Sequence, residues 1–191
     1  MGRRLEQMSL QELWELFPIE IVAYRPEWPE WAHQEMSFLS ELLADCSPVI
    51  HHIGSTAVPG LAAKPIVDIL VGLPGFADRE WVRKTMEDAG YICMALSPRT
   101  MSFNKGYTPD GYARKVFHIH FRLLGDNDEL YFRDYLRAHP DIAREYAILK
   151  LSLLPRFRHD RDGYTSAKSG FINRITRIAV SEANRQDHLP E

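Results

Sequence analysis

The sequence predicts an α+β fold: a mixed β-sheet packed with helices over residues 17–125, followed by a C-terminal helical part over 126–185. Three observations predict it. Short strand patterns crowd the first part of the chain without alternating with helices as strict βαβ units. Two of them adjoin as a hairpin, which brings antiparallel pairing into the sheet. After Gly125 only helical periodicity remains. At 191 residues the whole chain, 1–191, suits a single domain with a sizeable core.

The elements follow in order. Ser9 and Glu12 have capping-box spacing ahead of Leu10, Leu13, Trp14 and Phe17, which predicts a short first helix. "PIEIVAY" (18–24) alternates as a strand does. "EWPEWAHQEMSFLSELLADC" carries Pro29 near its start and apolar residues at helical spacing, hence a helix of about four turns. "VIHHI" and "PIVDILVGL" read as strands joined by the Gly54–Ala63 turn segment, and Pro74-Gly75 ends the second. "REWVRKTMEDAG" is a helix closed by Gly90, and "YICMAL" is a strand. "RTMSFNKGY" and "KVFHIHFRLL" form the hairpin across Pro109, Asp110 and Gly111. Three helical patterns follow, interrupted by Pro140 and Pro155, and a polar tail starts near Gln186.

Composition bounds the function. Hydrophobic residues make up 45% and charged residues 26%, ordinary for a globular chain, and the net charge of −3 gives no global attraction to nucleic acid or membranes. The opening "MGRRLEQMSL" lacks the apolar core of a secretory leader, and Glu6 breaks the myristoylation pattern. Cys46 and Cys93 are far apart and in no metal-like spacing, so they read as reduced thiols. Together these features predict a cytoplasmic protein with no membrane partner and no nucleic acid indicated. The oligomeric state is not legible.

The chemistry concentrates in "HHIGSTAVPGLAAKPIVDILVGL", residues 51–73. A Walker-type phosphate loop is excluded, because Pro59 stands where its second glycine belongs and the Lys-Ser/Thr pair is missing. No G-x-G precedes a helix, which removes a dinucleotide fingerprint. What remains is a strand, a Gly-Ser turn and a second strand with an inner carboxylate. Gly54 lets backbone approach an anion closely, and the amides of Ser55 and Thr56 can face a phosphate. Asp68 can hold a divalent ion against it, and Lys64 adds a positive charge. The bland alternative is ordinary turn chemistry, with Asp68 satisfied by amides or an arginine. Asp68 stands among Ile66, Val67, Ile69 and Leu70, where an ionised carboxylate is costly unless paired or metal-bound.

His118 and His120 lie two apart, on one face of a strand, with Ile119 and Phe121 on the other. Two imidazoles so placed can chelate a metal or bind phosphate oxygens; a half-exposed strand looks the same. A histidine-triad motif is excluded, since Arg122 occupies the third position. In the helical part, Tyr146…Lys150 and Tyr164…Lys168 repeat Tyr-x-x-x-Lys, which puts both groups on one helix face. The sharper reading is that Lys150 and Lys168 close over an anion on the Gly-Ser turn; the plainer one is two solvated faces.

The motifs "HIGSTAVPGLAAKPIVDILV", "HIH", "YFRDYLRAHPDIAREYAILK" and "RDGYTSAKSGFI" resemble the GrpB family (UPF0157), in family order and over most of the chain. That family is similar to the nucleotidyltransferase superfamily of polymerase-β-like fold, marked by Gly-Ser followed by a strand reading Asp-x-Asp/Glu. The resemblance implies that fold, with Gly54 and Ser55 at the phosphate turn and Asp68 as first metal carboxylate. It also implies a nucleoside triphosphate, a divalent metal (Mg, Mn or Zn) and an acceptor whose identity the sequence does not reveal. The chain departs from the pattern at Leu70, where the second carboxylate belongs, and His118 and His120 occupy the strand corresponding to the third. An Asp-His-His set suits Mn²⁺ or Zn²⁺ better than Mg²⁺. Three functions are therefore compatible with the sequence: nucleotidyl transfer with Asp68 as catalytic residue, a non-catalytic nucleotide-binding module with a degenerate metal site, and a metal-dependent phosphohydrolase.

Overall fold

A computed structural model describes residues 5–75 and 78–186. The opening residues 1–4 and the polar tail from 187 lie outside these residues. The chain begins with helix α1 (Leu10–Leu16), where Ser9 Oγ accepts from the Glu12 amide and Glu12 returns a bond from the Ser9 amide, closing the predicted box. Helix α2 (Trp28–Leu42) follows, with Pro29 in its first turn. Strands β1 (Val49–Ile53) and β2 (Val67–Leu73) flank the Gly-Ser turn. Helix α3 (Arg79–Asp88), strands β3 (Ile92–Leu96), β4 (Met101–Thr108) and β5 (Gly111–Leu123) complete the αβ part. Helices α4 (Asp128–Ala138), α5 (Pro140–Phe157) and α6 (Arg161–Gln186) form the rest.

The five strands make one mixed sheet of order β1-β2-β5-β4-β3. Only β2 and β5 pair in parallel; the other neighbours are antiparallel. This register sorts side chains by parity. Val67, Ile69 and Val71 of β2, Phe117, Ile119 and Phe121 of β5, and Met101 and Phe103 of β4 point to one face. There they pack with Trp28, Trp31 and Leu39 of α2 and Val82 and Met86 of α3. Each such fully buried side chain stabilises the fold by roughly 1.5–3 kcal/mol. The even-numbered residues of β2 and the centre of β5, Asp68, Leu70, His118 and His120, share the opposite face.

Two expectations fail. "PIEIVAY" forms no strand: Val22 makes an isolated antiparallel bridge with Ala63, and Ile19 donates its amide to the Arg158 carbonyl at 2.8 Å. Within the segment Ile19 is buried without sheet pairing. Pro155 does not break its helix. It lies in the last turn of α5, where its missing N–H and its ring disturb only the helix end. Pro140, by contrast, opens α5 at a position where no amide is needed.

Candidate functional site

The sharp turn after β1 begins at Gly54, with φ +70° and ψ −171°, a conformation that side chains resist. A Cβ here would stand 2.5 Å from Asp68 Oδ2. Gly54 is thus required twice, by its backbone and by the carboxylate against it. Ser55–Ala57 then form one 3₁₀ turn closed by the amides of Ala57 and Val58. The α4 helix braces this turn from outside: Arg133 donates to the His52 carbonyl at 2.9 Å and Arg137 to the Ala57 carbonyl at 2.9 Å. Thr56 is buried, and its hydroxyl engages His52 Nε2 at 3.0 Å. Burial pushes the His52 imidazole down to about 4, which keeps it neutral.

Across the parallel β2–β5 pair, Asp68 stands opposite His118 and Leu70 opposite His120. Asp68 Oδ1 lies 3.4 Å from His118 Nδ1 and 3.2 Å from His120 Nε2. One donor atom from each residue lies within 4.8 Å of the others, a trio that can hold a metal ion. Burial opposes ionisation of Asp68, yet hydrogen bonds from both imidazoles outweigh it and hold the carboxyl well below the usual carboxylate range. Burial pushes His118 down, against the pull of Asp68. The mixed carboxylate and imidazole set fits a borderline divalent ion better than Mg²⁺. Leu70 shares this face and is buried, so the position of a second carboxylate is filled by hydrocarbon.

Helices α5 and α6 close the site. Lys150 Nζ donates to Ser55 Oγ at 3.0 Å and to the Ala62 carbonyl, and lies 4.7 Å from the centre of the Tyr146 ring. Lys168 Nζ lies 4.5 Å from the Tyr164 ring centre. The repeated Tyr-x-x-x-Lys spacing is therefore a repeated cation–π pair. Burial, with Lys168 and Lys64 nearby, pushes Lys150 down to about 7; burial and Lys64 push Lys168 down to about 8. Burial also lowers Lys64.

All nine residues singled out from the sequence, Gly54, Ser55, Thr56, Lys64, Asp68, His118, His120, Lys150 and Lys168, line one cavity of about 1510 Å³. Its wall holds six lysines and arginines against three carboxylates. Tyr146 and Tyr164 of the repeated Tyr-x-x-x-Lys signal line it as well; sequence reasoning missed Arg161, which also lines it, and Tyr107, which touches His118. Arg161, Tyr164 and Lys168 recur at i, i+3 and i+7 on one face of α6, a legible signal. Tyr107 gave none.

Residues 18–177 match the family model described as "GrpB protein". A UPF0157 protein of Pseudomonas aeruginosa is 41% identical over 166 residues, covering 85% of this chain and 68% of that protein. The crystal structure of GrpB from Enterococcus faecalis superposes with a TM-score of 0.74 at 31% identity, over 86% of this chain and 99% of that one. A more distant likeness is the Cid1 poly(U) polymerase with a UTP analogue: TM-score 0.47, 14% identity, 78% of this chain and 48% of that one. Among the described residues, no helix is long and apolar enough to cross a membrane.

Proposed function

The chain belongs to the GrpB family, and from that premise and the cavity's geometry we propose that it transfers a nucleotidyl group from a nucleoside triphosphate to an acceptor hydroxyl. One observation carries the reading: the Gly54 turn stands directly against Asp68, inside a cavity whose far wall is cationic. Asp68, His118 and His120 would hold a divalent ion, Mn²⁺ or Zn²⁺ by donor chemistry. Such an ion supplies charge neutralisation and orientation at the phosphate under attack.

The chain's own residues account for the rest. Gly54, Ser55 and Thr56 offer backbone that a phosphate approaches without steric cost. Lys150 orients the Ser55 hydroxyl, and Lys64, Lys168 and Arg161 offset the charge of the polyphosphate. Substrate bound there is held for in-line attack: the acceptor oxygen forms a bond to the α-phosphorus and gives up its proton to solvent, while the bond to the bridging oxygen breaks and pyrophosphate leaves. Positioning and electrostatics are the contributions the protein makes to such chemistry.

The test is incubation of the purified protein with labelled nucleoside triphosphates, Mn²⁺ and a panel of small-molecule hydroxyl acceptors. Label is expected on an acceptor, and Asp68→Asn is expected to reduce transfer at least 100-fold, beyond what residues that only support a metal ligand contribute. Transfer that survives this substitution overturns the role of Asp68. Free phosphate with no transferred nucleotide would instead mark a phosphohydrolase.

Buried Leu70, on the same face as Asp68, favours a second reading, a nucleotide-binding module without turnover. Thermal shift with nucleotides, with and without Mn²⁺, separates the two: stabilisation with no product formed supports the module.

A further inference from the structure

The buried face of α5 consists of Ala143, Tyr146 and Lys150, three and four residues apart. A lysine therefore stands where helical spacing calls for an apolar residue. Lys150 is only 3% exposed, so its amine is held away from water. Both hydrogen-bond partners of Nζ are neutral oxygens, the Ser55 hydroxyl and the Ala62 carbonyl. The charged groups that act on it are cations, Lys168 from α6 and Lys64 from the segment before β2. A charge taken from water, given neutral partners and set beside like charges, is costly. Those conditions favour the neutral amine over the ammonium.

The consequence falls on Ser55. An ammonium has protons to donate and no lone pair, whereas the amine has a lone pair that can accept. The Ala62 carbonyl only accepts, so it takes an N–H, and the lone pair is left for the Ser55 hydroxyl. Ser55 Oγ stands 3.0 Å from Nζ, inside the roughly 2.6–3.2 Å that joins a nucleophile to its base. The turn makes no demand on that hydroxyl, because the amides of Ala57 and Val58 donate to the carbonyls of Gly54 and Ser55. Ser55 also lines the cavity, so a ligand can reach it. Lys64, Lys168 and Arg161 share the same lining, and their charge favours an anionic phosphate ester over a neutral acyl ester.

Resting on the nucleotidyl-transfer reading, we propose that Ser55 and Lys150 are a nucleophile and its base, and that Ser55 is itself an acceptor of the nucleotidyl group. In that step Ser55 Oγ forms a bond to the α-phosphorus and its proton passes to Lys150 Nζ. The bond from the α-phosphorus to the bridging oxygen breaks, and pyrophosphate leaves. The product is a nucleoside monophosphate ester on Ser55. Transfer to Ser55 and transfer to an outside hydroxyl are alternative fates of one bound substrate. A lysine that only tied the turn to the segment before β2 would serve equally well charged. Arginine, which keeps donors but does not give up its proton, separates the two roles.

Two probes on the whole chain separate the nucleophile from the nucleotide. Diisopropyl fluorophosphate needs neither metal nor nucleotide: Ser55 Oγ bonds to phosphorus, Lys150 takes the proton and fluoride leaves. Peptide mass spectrometry is expected to find the label on Ser55, and Ser55→Ala is expected to abolish it. Lys150→Met and Lys150→Arg are each expected to slow labelling by about 100-fold or more, the scale of general-base catalysis. Circular dichroism confirms that a variant is folded, and Ser55→Ala, which removes one hydroxyl, is the least disruptive of the three. The second probe is a nucleoside triphosphate labelled at the α-phosphate, given with Mn²⁺ and no acceptor. It is expected to leave a nucleoside monophosphate on Ser55. Equal labelling rates with and without Lys150 overturn its role as base. Transfer to a small-molecule acceptor while Ser55 resists both probes overturns the pair and leaves the nucleotidyl-transfer reading standing. Fluorophosphate labelling with no nucleotide transferred to Ser55 or to any acceptor overturns that reading, and with it Ser55 as acceptor.

Discussion

The two walls of the cavity hold their functional groups by different means. On the sheet wall, Asp68, His118 and His120 are short side chains whose positions follow from the β2–β5 register. A slip of one residue would turn all three to the other face. On the helix wall, Lys150 and Lys168 are long side chains, each lying over a tyrosine one helical turn earlier. The first arrangement suits a cation, which needs donor atoms at fixed separations. The second suits an anion, whose charge is satisfied over a range of approach. The comparison teaches that one cavity joins two halves built in different ways, and how far each acts alone can be tested.

The largest effect is expected from Gly54→Ala, which breaks the sheet wall. Its φ of +70° costs a side chain about 1–3 kcal/mol, and the new methyl must displace the Asp68 carboxylate. Urea unfolding should register that loss, and Mn²⁺ affinity should fall more than tenfold in the same protein. Unchanged Mn²⁺ binding would mean that Asp68 need not stand where it does.

Lys168→Gln is expected to act on the other wall alone. Losing one cationic donor should weaken inorganic triphosphate binding by about tenfold, the equivalent of one hydrogen bond to a charged group. Mn²⁺ binding in the absence of phosphate should stay within about twofold. Calorimetry with each probe separately reads both, and a parallel loss of the two affinities would show that the walls are one unit.

A smaller effect concerns pH. Burial lowers Lys150 to about 7 and Lys168 to about 8, whereas an unfolded lysine titrates near about 10.4. Between about 7 and 10 the unfolded chain binds more protons than the folded one, so these lysines make stability rise with pH in that window. In Lys150→Met the rise between pH 7 and 9 is expected to be shallower, as followed by denaturant unfolding at each pH. An identical slope would remove Lys150 from the group of buried cations.

Much of this was legible in the sequence, for physical reasons that also mark where legibility stops. Residue type and period two brought out Asp68, His118 and His120, because a carboxylate within an aliphatic run is costly and alternate residues share a face. Helical spacing brought out Lys150 and Lys168. Tyr107 escaped because Gly106 breaks the alternation from which its face would be read. "PIEIVAY" misled for the converse reason: Ile19 is buried, but its amide bonds the Arg158 carbonyl just past α5, and Phe17 before it packs on Tyr107 and Tyr112, so no strand is paired. Local pattern records which residues are buried, and not what buries them.

The smallest expected effect lies at Tyr164, where the helix wall holds a group with no use in the structure. Its ring supports Lys168, but its buried hydroxyl has no hydrogen-bond partner among the described residues. An unsatisfied hydroxyl taken from water costs about 1–3 kcal/mol, whereas phenylalanine fills nearly the same space without that cost. Tyr164→Phe should therefore be neutral or more stable by up to about 1 kcal/mol, with the Lys168 contact intact because the ring remains. The sheet wall differs, since Asp68 Oδ1 faces a ring nitrogen of both His118 and His120. Denaturant unfolding of the ligand-free protein decides the matter: a loss above about 1 kcal/mol would mean that the hydroxyl has a partner, and that the helix wall is as tightly specified as the sheet.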